Sequence, residues 1–199
     1  MKAVKAALLI AGLSSLLFSC KDDDAPVPAS PLSGVYTFKQ AKTTGHIVVI
    51  TDTGVSDSVI TNYNYTVTGS GELEFDAKNI YQKDIAYKYA AQTEYITYFK
   101  GEITNKSETS SDQEVDSFSK KIEYLTKEDS IHFSEPLLDN EKDVIGFPLK
   151  ATYFYLDGAA VLLISSKTET RDTTTNSDGT PRISISTESQ MITLEKKLN

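Results

Sequence analysis

The sequence predicts an all-β protein, an antiparallel meander of about eight to ten strands closed into a barrel. Three observations favour this fold class. From residue 33 onward, Thr, Val, Ile, Tyr and Phe alternate with polar residues in short runs, as half-buried strands require. Turn residues separate these runs at intervals of roughly ten to fifteen residues, and no segment shows a reliable long helical period. Closing the sheet would remove its edges, although a two-sheet β-sandwich is the alternative.

Residues 1–19 have the pattern of a secretion signal. Two lysines precede an apolar stretch at residues 6–13, which is shorter than the ~20 residues that span a bilayer. Residues 17–20, LFSC, resemble the lipobox of bacterial lipoproteins. The resemblance implies that Cys20, the only cysteine, receives a diacylglyceryl group and becomes the N-terminus after cleavage. An ordinary signal peptide with an incidental cysteine is the alternative.

An acidic run follows the cysteine. Lys21, Asp22, Asp23 and Asp24 resemble the export signal that sends lipoproteins of the Bacteroidota to the outer face of the outer membrane. The alternative is a solvated acidic spacer. The Pro-rich residues that follow predict an extended linker. The expected organisation is a signal peptide (1–19), a lipidated tether (20–32) and a single β domain (33–199).

Anchoring would follow from the chemistry of the lipid. Each buried CH₂ group contributes ~0.8 kcal/mol of membrane affinity, so two or three acyl chains on Cys20 would hold the protein firmly. The lipid bilayer is therefore an expected partner, and the expected location is the outer membrane, facing the cell exterior.

The first half of the domain predicts four strands. They occupy residues 34–39, 45–51, 58–67 and 72–76, with turns at 43–45, 52–54 and 69–71. Residues 84–93 alternate as in a strand but also fit one helical face, and a strand is the preferred interpretation. Further strands are expected at 93–104 and 120–125, with a polar loop at 107–117 between them.

Two hairpins are expected in the second half. Asp157-Gly158 suits a two-residue type I′ turn, and pairing outward from it places Tyr155 opposite Ala160 and Phe154 opposite Val161. Both faces of this hairpin are then apolar, so we expect it to be covered on both sides. Residues 165–172 and 183–194 predict a polar hairpin whose tip, residues 173–181, projects into solvent.

Residues 32–36, LSGVY, open the first strand directly after the tether. They are similar to the Gly-x-Trp/Tyr start of lipocalin-like (calycin) lipoproteins. The resemblance implies a closed barrel with a ligand cavity. The chain departs from most lipocalins because it has neither tryptophan nor the cysteines for a disulfide.

Charge and composition exclude several classes of function. Removing residues 1–19 takes away two lysines and no acid, which leaves 18 basic residues against 28 acidic ones and a net charge of −10. Such a surface repels phosphate backbones, so nucleic acid is not an expected partner. Two histidines and one cysteine leave little material for a metal site. We therefore expect no metal and no cofactor.

No motif predicts catalysis. Glu72, Glu74 and Asp76 share a strand face and could act as paired carboxylates, but their alternation with apolar residues is typical of a solvated outer face. Residues 176–179, NSDG, match only part of a calcium loop and predict a polar turn. No G-x-S-x-G nucleophile elbow accompanies the two histidines. The sequence therefore predicts no catalytic residue.

Tyrosine pairs spaced two residues apart are the candidate binding residues. The pairs are Tyr63 with Tyr65, Tyr87 with Tyr89, and Tyr153 with Tyr155. Side chains at this spacing share a sheet face, and phenol rings offer apolar area together with a polar tip, as a site for a sugar or other small ligand requires. The alternative is that the pairs are packing residues of a β core without tryptophan.

Three short segments resemble the acceptor pattern for protein O-glycosylation in Bacteroidota, an Asp followed by Ser or Thr. The acceptor residues would be Ser58, Ser130 and Thr173.

The sequence favours a non-enzymatic surface lipoprotein whose β domain binds a small, glycan-like or protein ligand. A structural or envelope-associated domain with a filled barrel is the alternative, and a hydrolase is the third hypothesis. A cavity of about 300 Å³ or more, with tyrosine hydroxyls turned inward, would favour the first hypothesis, whereas a solid interior would argue against it.

Overall fold

The computed structural model describes residues 30–52, 56–139, 147–156, 158 and 160–197. Within these ranges, eight strands form one antiparallel meander, and β1 pairs with β8 to close the sheet into a barrel. The strands are β1 (Gly34–Asp52), β2 (Ser56–Phe75), β3 (Asn79–Phe99), β4 (Glu102–Lys127), β5 (Ser130–Phe133), β6 (Lys150–Leu156), β7 (Val161–Thr175) and β8 (Pro181–Lys196). The predicted closed meander is confirmed, with eight strands, and the alternative sandwich is not formed.

Unequal strand lengths divide the barrel into two halves. β4 has 26 residues, whereas β5 has four and β6 has seven. β5 pairs only with residues 124–127 of β4, and β6 pairs only with residues 161–165 of β7. Where β5 and β6 are present, eight strands complete the ring, and we call this part the closed half. The other six strands continue beyond it as the open half, with β4 and β7 at its edges.

Apolar side chains fill the closed half. The largest of those that are fully buried are Tyr36, Phe38, Phe75, Leu32, Leu73, Ile80, Ile85, Ile122, Ile131, Leu137, Leu162 and Ile164. Those on strands come from β1–β5 and β7, and buried Ala151 on β6 and Leu194 on β8 extend the same core. Along each strand they alternate with more exposed residues, as the period of two requires. Their burial is the main source of the stability of the fold.

Described residues on either side of residues 140–146, in the connection between β5 and β6, add to this core. Leu137, Leu138 and Phe147, which we call the plug, are at most 5% exposed. The Leu138 amide donates to Gln82 Oε1 at 2.9 Å, and the Tyr87 hydroxyl donates to the Leu138 carbonyl at 3.1 Å. These two bonds hold Leu138 in the left-handed region (φ +62°), which is strained for a residue with a Cβ. The plug therefore belongs to the packed interior.

The chain reaches the barrel at its closed end. Leu32 is fully buried, the Tyr124 hydroxyl donates to Ser30 Oγ at 2.7 Å, and the Tyr155 hydroxyl donates to the Pro31 carbonyl at 2.8 Å. The sequence places residues 30–32 in the tether, whereas the structure packs them against the core. The described part of the chain therefore begins at the closed end.

Two of the predicted turns lie inside strands. Residues 43–45 belong to β1 and residues 69–71 to β2. Gly71 has φ +112°, lies where the β2–β3 register shifts, and approaches the Asp84 carbonyl so closely that a Cβ would be 2.6 Å from it. A glycine that permits a β-bulge has the same sequence signal as a glycine in a turn. The third predicted turn, at 52–54, extends outside the described residues.

The single strand expected at 93–104 is divided by a turn into the end of β3 and the start of β4, and the polar loop expected at 107–117 is wrong. Lys100 and Gly101 have φ +55° and +82° and connect Phe99 to Glu102, which pair with each other. Residues 107–117 continue β4. Residues 107–114 are polar on both faces because this edge of the open half is exposed on both faces, and Val115 is the first buried residue of β4. The strand at 84–93 is confirmed within β3.

The apolar hairpin exists with a longer connection than predicted. Tyr155 pairs with Leu162 and Leu156 with Val161, so four residues link β6 to β7 instead of two. A register difference of two leaves every side chain on its expected face. The expectation of cover on both sides is wrong, because Phe154 and Leu156 point outward from a single-layered sheet and are 44% and 45% exposed. The polar β7–β8 hairpin is confirmed.

Candidate functional site

The register of the sheet identifies the inner face of the open half. Ala41 of β1 pairs with Val67 of β2 and with Ile192 of β8, and Val67 pairs with Tyr89 of β3. Ala41, Val67 and Ile192 are buried in the core, so this row marks the inner face. Alternation along each strand carries that face into the open half.

Four tyrosines occupy the inner face of the open half, and we call them the tyrosine face. Tyr63 and Tyr65 lie on β2, and Tyr89 and Tyr95 lie on β3. The rings of Tyr63 and Tyr65 stack with their centroids 5.1 Å apart and their planes at 26°, a favourable offset arrangement. Tyr95 is 39% exposed, while the other three are half-buried. The tyrosine face thus has apolar area and hydroxyl groups within reach of solvent.

The position of the Tyr63 ring depends on the absence of a side chain at Gly45. Tyr63, Gly45 and Glu188 form one row across β2, β1 and β8, and the Tyr63 hydroxyl donates to Glu188 Oε2 at 2.6 Å. The ring must therefore cross the strand between them. A Cβ on Gly45 would lie 1.9 Å from Tyr63 Cζ, so no other residue at this position would leave the ring where it is. The sequence predicts Gly45 in a turn. In the structure it lies within β1, where the absence of a side chain leaves space for the Tyr63 ring.

Two phenols of the tyrosine face, Tyr63 and Tyr65, remain protonated over the physiological range. Burial, and then the hydrogen bond to Glu188 and the charge of that carboxylate, raise the pKa of Tyr63 well above its usual range. Burial is also the largest cause of the raised pKa of Tyr65, followed by its neighbours Tyr95 and Glu188. These rings therefore act as neutral donors and stacking surfaces.

Amide and carboxylate groups border the rings. Gln190 donates from Nε2 to Glu188 Oε1 at 2.7 Å, and the Tyr89 hydroxyl donates to Gln113 Oε1. Gln190 Oε1 is buried and has no hydrogen-bond donor among the described residues. Such an acceptor costs about 1–3 kcal/mol if it stays unsatisfied. A buried water molecule would satisfy this acceptor.

The structure separates the three predicted tyrosine pairs. Tyr63, Tyr65 and Tyr89 belong to the tyrosine face. Tyr87 is 3% exposed and binds the plug, so it is a core residue. Tyr153 and Tyr155 lie at the closed half, where Tyr153 donates to the Glu128 carbonyl and Tyr155 to the Pro31 carbonyl.

Sequence reasoning missed three residues of the site. Tyr95 has no tyrosine two residues away on its strand, and Glu188 and Gln190 come from a polar hairpin that lies more than 120 residues along the chain from Tyr63 and Tyr65. Only the pairing of β1 with β8, which closes the barrel, brings them together. The period-two pattern could have placed each on a sheet face, but it could not have shown which strands adjoin.

The predicted outer-face carboxylates are engaged in other contacts. Glu72 forms an ion pair with Lys197 and Glu74 one with Lys83. Asp76 lies in the β2–β3 turn, where its carboxylate accepts hydrogen bonds from the amides of Lys78 (2.7 Å) and Asn79 (2.6 Å). Glu72 and Glu74 therefore lie on the expected solvated face, and Asp76 caps the β2–β3 turn.

No group of three or more metal-ligating side chains occurs in the part of the chain that the structure describes. Residues 176–180 form the polar β7–β8 turn, in which the Thr180 amide donates to Asp178 Oδ1 at 3.0 Å. His46 and His132 lie on β1 and β5, which do not adjoin in the sheet. His46 Nδ1 is 2.7 Å from Asn62 Oδ1.

The three candidate acceptors for O-glycosylation all lie on strands and outside the barrel. Ser58 on β2 pairs with Ile50 and Tyr98, Ser130 on β5 pairs with Thr152, and Thr173 on β7 pairs with Ile183. Thr173 is exposed, and Ser58 and Ser130 are half-buried. Their acceptance of a sugar stays a prediction.

Cys20 and residues 21–24 lie outside the described residues. Within the described ranges, no helix has the length and apolarity needed to cross a membrane. Searches of protein-family models, curated proteins and solved structures found no significant match to this chain.

Proposed function

We propose that the protein is a lipid-anchored binding protein of the cell surface, and that its tyrosine face binds a glycan-like ligand without catalysis. The observation that carries the proposal is the stacked pair Tyr63 and Tyr65 on an inner sheet face that β5 and β6 leave open. The filled interior of the closed half has no comparable surface among the described residues. The proposed position of the ligand is therefore on the tyrosine face of the open half, beyond the end of the barrel that the plug fills.

Sugar chemistry matches the groups on this face. The C–H faces of a pyranose pack on phenol rings, and its hydroxyls need donors and acceptors at the rim. Tyr95 offers an exposed ring, and Thr93 and Thr109, which follow Tyr63 in the same row of the sheet, offer hydroxyl groups. Neutral phenols flanked by one carboxylate favour a neutral ligand over an anion.

The path of the chain supports a membrane anchor at one end and a binding face at the other. Residues 30–32 pack at the closed end, so lipid on Cys20 would hold that end towards the bilayer. β1 then runs 11 residues from Gly34 to Gly45, which corresponds to up to about 36 Å at ~3.3 Å per residue. The tyrosine face would point away from the membrane, towards soluble ligands.

Binding is tested with a matched pair of substitutions on β3. Tyr95 and Tyr98 lie on opposite faces near the same end of the strand. Against a panel of neutral oligosaccharides measured by isothermal titration calorimetry, we expect Tyr95→Ala to weaken the best binder by about fivefold to tenfold, as the loss of one aromatic contact implies. Tyr98→Ala should leave the affinity unchanged. Equal effects of the two substitutions, or no binder in the panel, would argue against the proposed site.

The anchor is tested by fractionation and surface proteolysis of intact cells. The wild-type chain should sediment with membranes and be cleaved by external protease, whereas Cys20→Ala should be released, because acyl chains supply the membrane affinity. Replacement of residues 21–24 by a neutral sequence should keep the anchor and lose the surface exposure. A membrane-bound Cys20→Ala variant would refute lipidation, and protection from protease in cells would refute the surface location.

The filled barrel favours a second candidate function. A closed half packed with apolar side chains is what a structural accessory domain of the envelope requires. If this second candidate is correct, Tyr95→Ala should change neither the oligosaccharide titration nor the function of the protein in cells. Failure of the oligosaccharide titration together with an intact membrane anchor would therefore support this second candidate.

A further inference from the structure

A depression on the outer surface of the sheet, away from the tyrosine face, has the features of an anion site. Its volume is about 790 Å³, and residues of β1, β6, β7 and β8 line it. Three lysines stand around it, Lys42, Lys150 and Lys167, and we call this feature the lysine depression. All three lysines are exposed.

The register shows why these lysines converge. Lys42 pairs with Met191, which pairs with Ser165, and Lys167 pairs with Ser189. Lys42 and Lys167 thus flank the same two outward residues of β8. Lys150 begins β6 beside them, where β6 separates from β7. Long, flexible lysine side chains at these positions can point at one ligand.

These three lysines are not paired with acids in the part of the chain that the structure describes. Elsewhere on the surface six lysines form ion pairs with glutamates: Lys39, Lys83, Lys88, Lys106, Lys120 and Lys197. No ion pair of Lys42, Lys150 or Lys167 occurs among the described residues, and the lining of the depression contains no acid. Glu169 is close in sequence to Lys167 but does not belong to that lining.

This local charge is opposite in sign to that of the whole chain, which is −8. At physiological ionic strength the Debye length is about 8 Å, so carboxylates farther away contribute little to the potential inside the depression. Hydroxyls of Thr44 and Ser189 in the lining add neutral hydrogen-bond donors. Charge-assisted hydrogen bonds from ammonium groups to oxyanions are among the strongest that proteins form.

We propose that the lysine depression binds a phosphate or sulfate group. A doubly charged oxyanion matches three ammonium groups better than a single carboxylate does. The group could belong to a soluble molecule or to a lipid headgroup. The three lysines lie on the other face of the sheet from the tyrosine face, and Gln190 is the residue that the lining of the depression shares with the proposed glycan site.

The test compares two triple variants of equal charge. Lys42→Gln, Lys150→Gln and Lys167→Gln are combined in one full chain, and Lys78→Gln, Lys100→Gln and Lys127→Gln in the other, both with Cys20→Ala so that no acyl chain is present. Sulfate and pyrophosphate are titrated while the amide resonances of Thr44, Lys167 and Ser189 are followed. We expect the first variant to bind about tenfold more weakly than the parent and the second to bind as the parent does.

A second arm identifies the source of the anion. Vesicles of neutral lipid and vesicles with added anionic phospholipid are sedimented with the same chains. Anion-dependent sedimentation that the first variant loses assigns the site to a headgroup, while titration without sedimentation assigns it to a soluble anion. The proposal is overturned if these resonances do not move, if both variants weaken equally, or if the first variant binds sulfate and pyrophosphate with the affinity of the parent. Unchanged unfolding midpoints verify that the variants are folded.

Discussion

Gly45 and Tyr63 are coupled because one leaves room for the other. In Gly45→Ala the new Cβ would lie 1.9 Å from Tyr63 Cζ, so the ring must leave and the bond to Glu188 must break. We expect the free energy of unfolding to fall by about 1–3 kcal/mol, as for other overpacked sites. Urea denaturation measures this change.

A double-mutant cycle isolates the cause. In Tyr63→Ala the ring is absent, so adding Gly45→Ala should be neutral, or should stabilise by up to about 1 kcal/mol because alanine suits a strand better than glycine. If Gly45→Ala destabilises equally in both backgrounds, the ring does not explain the glycine.

Asp76 stabilises the β2–β3 turn only while it is ionised. The hydrogen bond from the Lys78 amide, and then those from Asn79 and Tyr81, lower the pKa of Asp76 to about 2 from its ordinary value of 3.8. A depressed pKa contributes stability above the unfolded pKa and loses it as the pH falls through the folded one. This contribution is therefore complete above about pH 5 and is lost between about pH 4 and pH 2.

Substitution of Asp76 should show the same pH window. Because the carboxylate is partly exposed, we expect Asp76→Ala to destabilise by only about 1 kcal/mol at pH 7, with the difference from the wild type shrinking below pH 4. Asp76→Asn keeps an acceptor oxygen and should lose less stability. Unfolding curves recorded from pH 2 to pH 7 measure both variants, and a constant difference across that range would contradict the assignment.

The sequence predicts the sheet face of some residues of the site but not the membership of others in the site. The spacing of Tyr63 and Tyr65 correctly predicts that they share a face. The same spacing applies to Tyr153 and Tyr155, which lie in the other half, because periodicity gives the side of a strand and not the height along the barrel. Glu188 joins the site through pairing of the first and last strands, which no local pattern encodes.

At the scale of elements, the β3–β4 turn departs from the sequence preferences of its type. Lys100 and Gly101 both have positive φ, and a two-residue turn of this kind prefers Asn-Gly. Lysine gives a weak signal for such a turn, and the apolar run before it continues the strand pattern. The sequence therefore predicts one strand where the structure has a hairpin.

Lys100→Asn should stabilise the protein. Asparagine tolerates positive φ better than lysine, so we expect a gain of about 0.5 kcal/mol, measured as a higher urea midpoint at an unchanged slope. Lys127→Asn, at an exposed strand position, is the control and should give no gain, because asparagine is disfavoured in strands. A loss of stability in Lys100→Asn would contradict the turn geometry.

The edge strands explain why part of β4 resembled a loop. Thirteen consecutive residues from Glu102 to Glu114 are exposed, so neither face selects for apolar side chains. Charged side chains on such an edge also discourage pairing with other chains. Composition alone cannot distinguish this kind of strand from a polar loop.

At the scale of the whole molecule, the closed half should be the stable unit. It contains the apolar core and the plug, whereas the open half is solvated on its outer face, and its edges on β4 and β7 have no strand partner among the described residues. Local opening is easiest where burial is least. The division into halves depends on the short β5 and β6, so the pattern of strand lengths sets the pattern of stability.

Amide hydrogen exchange measures this division. We expect the amides of Ile85, Ile122 and Leu194 to exchange at least about a hundredfold more slowly than those of residues 107–112, corresponding to ~2.7 kcal/mol in opening free energy. Uniform protection along β4 would contradict a division into two halves.

The eleven tyrosines provide the most direct test of the central claim, that the open half carries the binding face. With ring-labelled tyrosine, the resonances of the protein are followed by NMR during titration with the best-binding oligosaccharide. We predict that Tyr63, Tyr65 and Tyr95 shift with one common saturation curve, while Tyr36, Tyr153 and Tyr155 of the closed half stay in place. Shifts confined to the closed half, or to Tyr81 and Tyr98 on the outer face, would contradict the account.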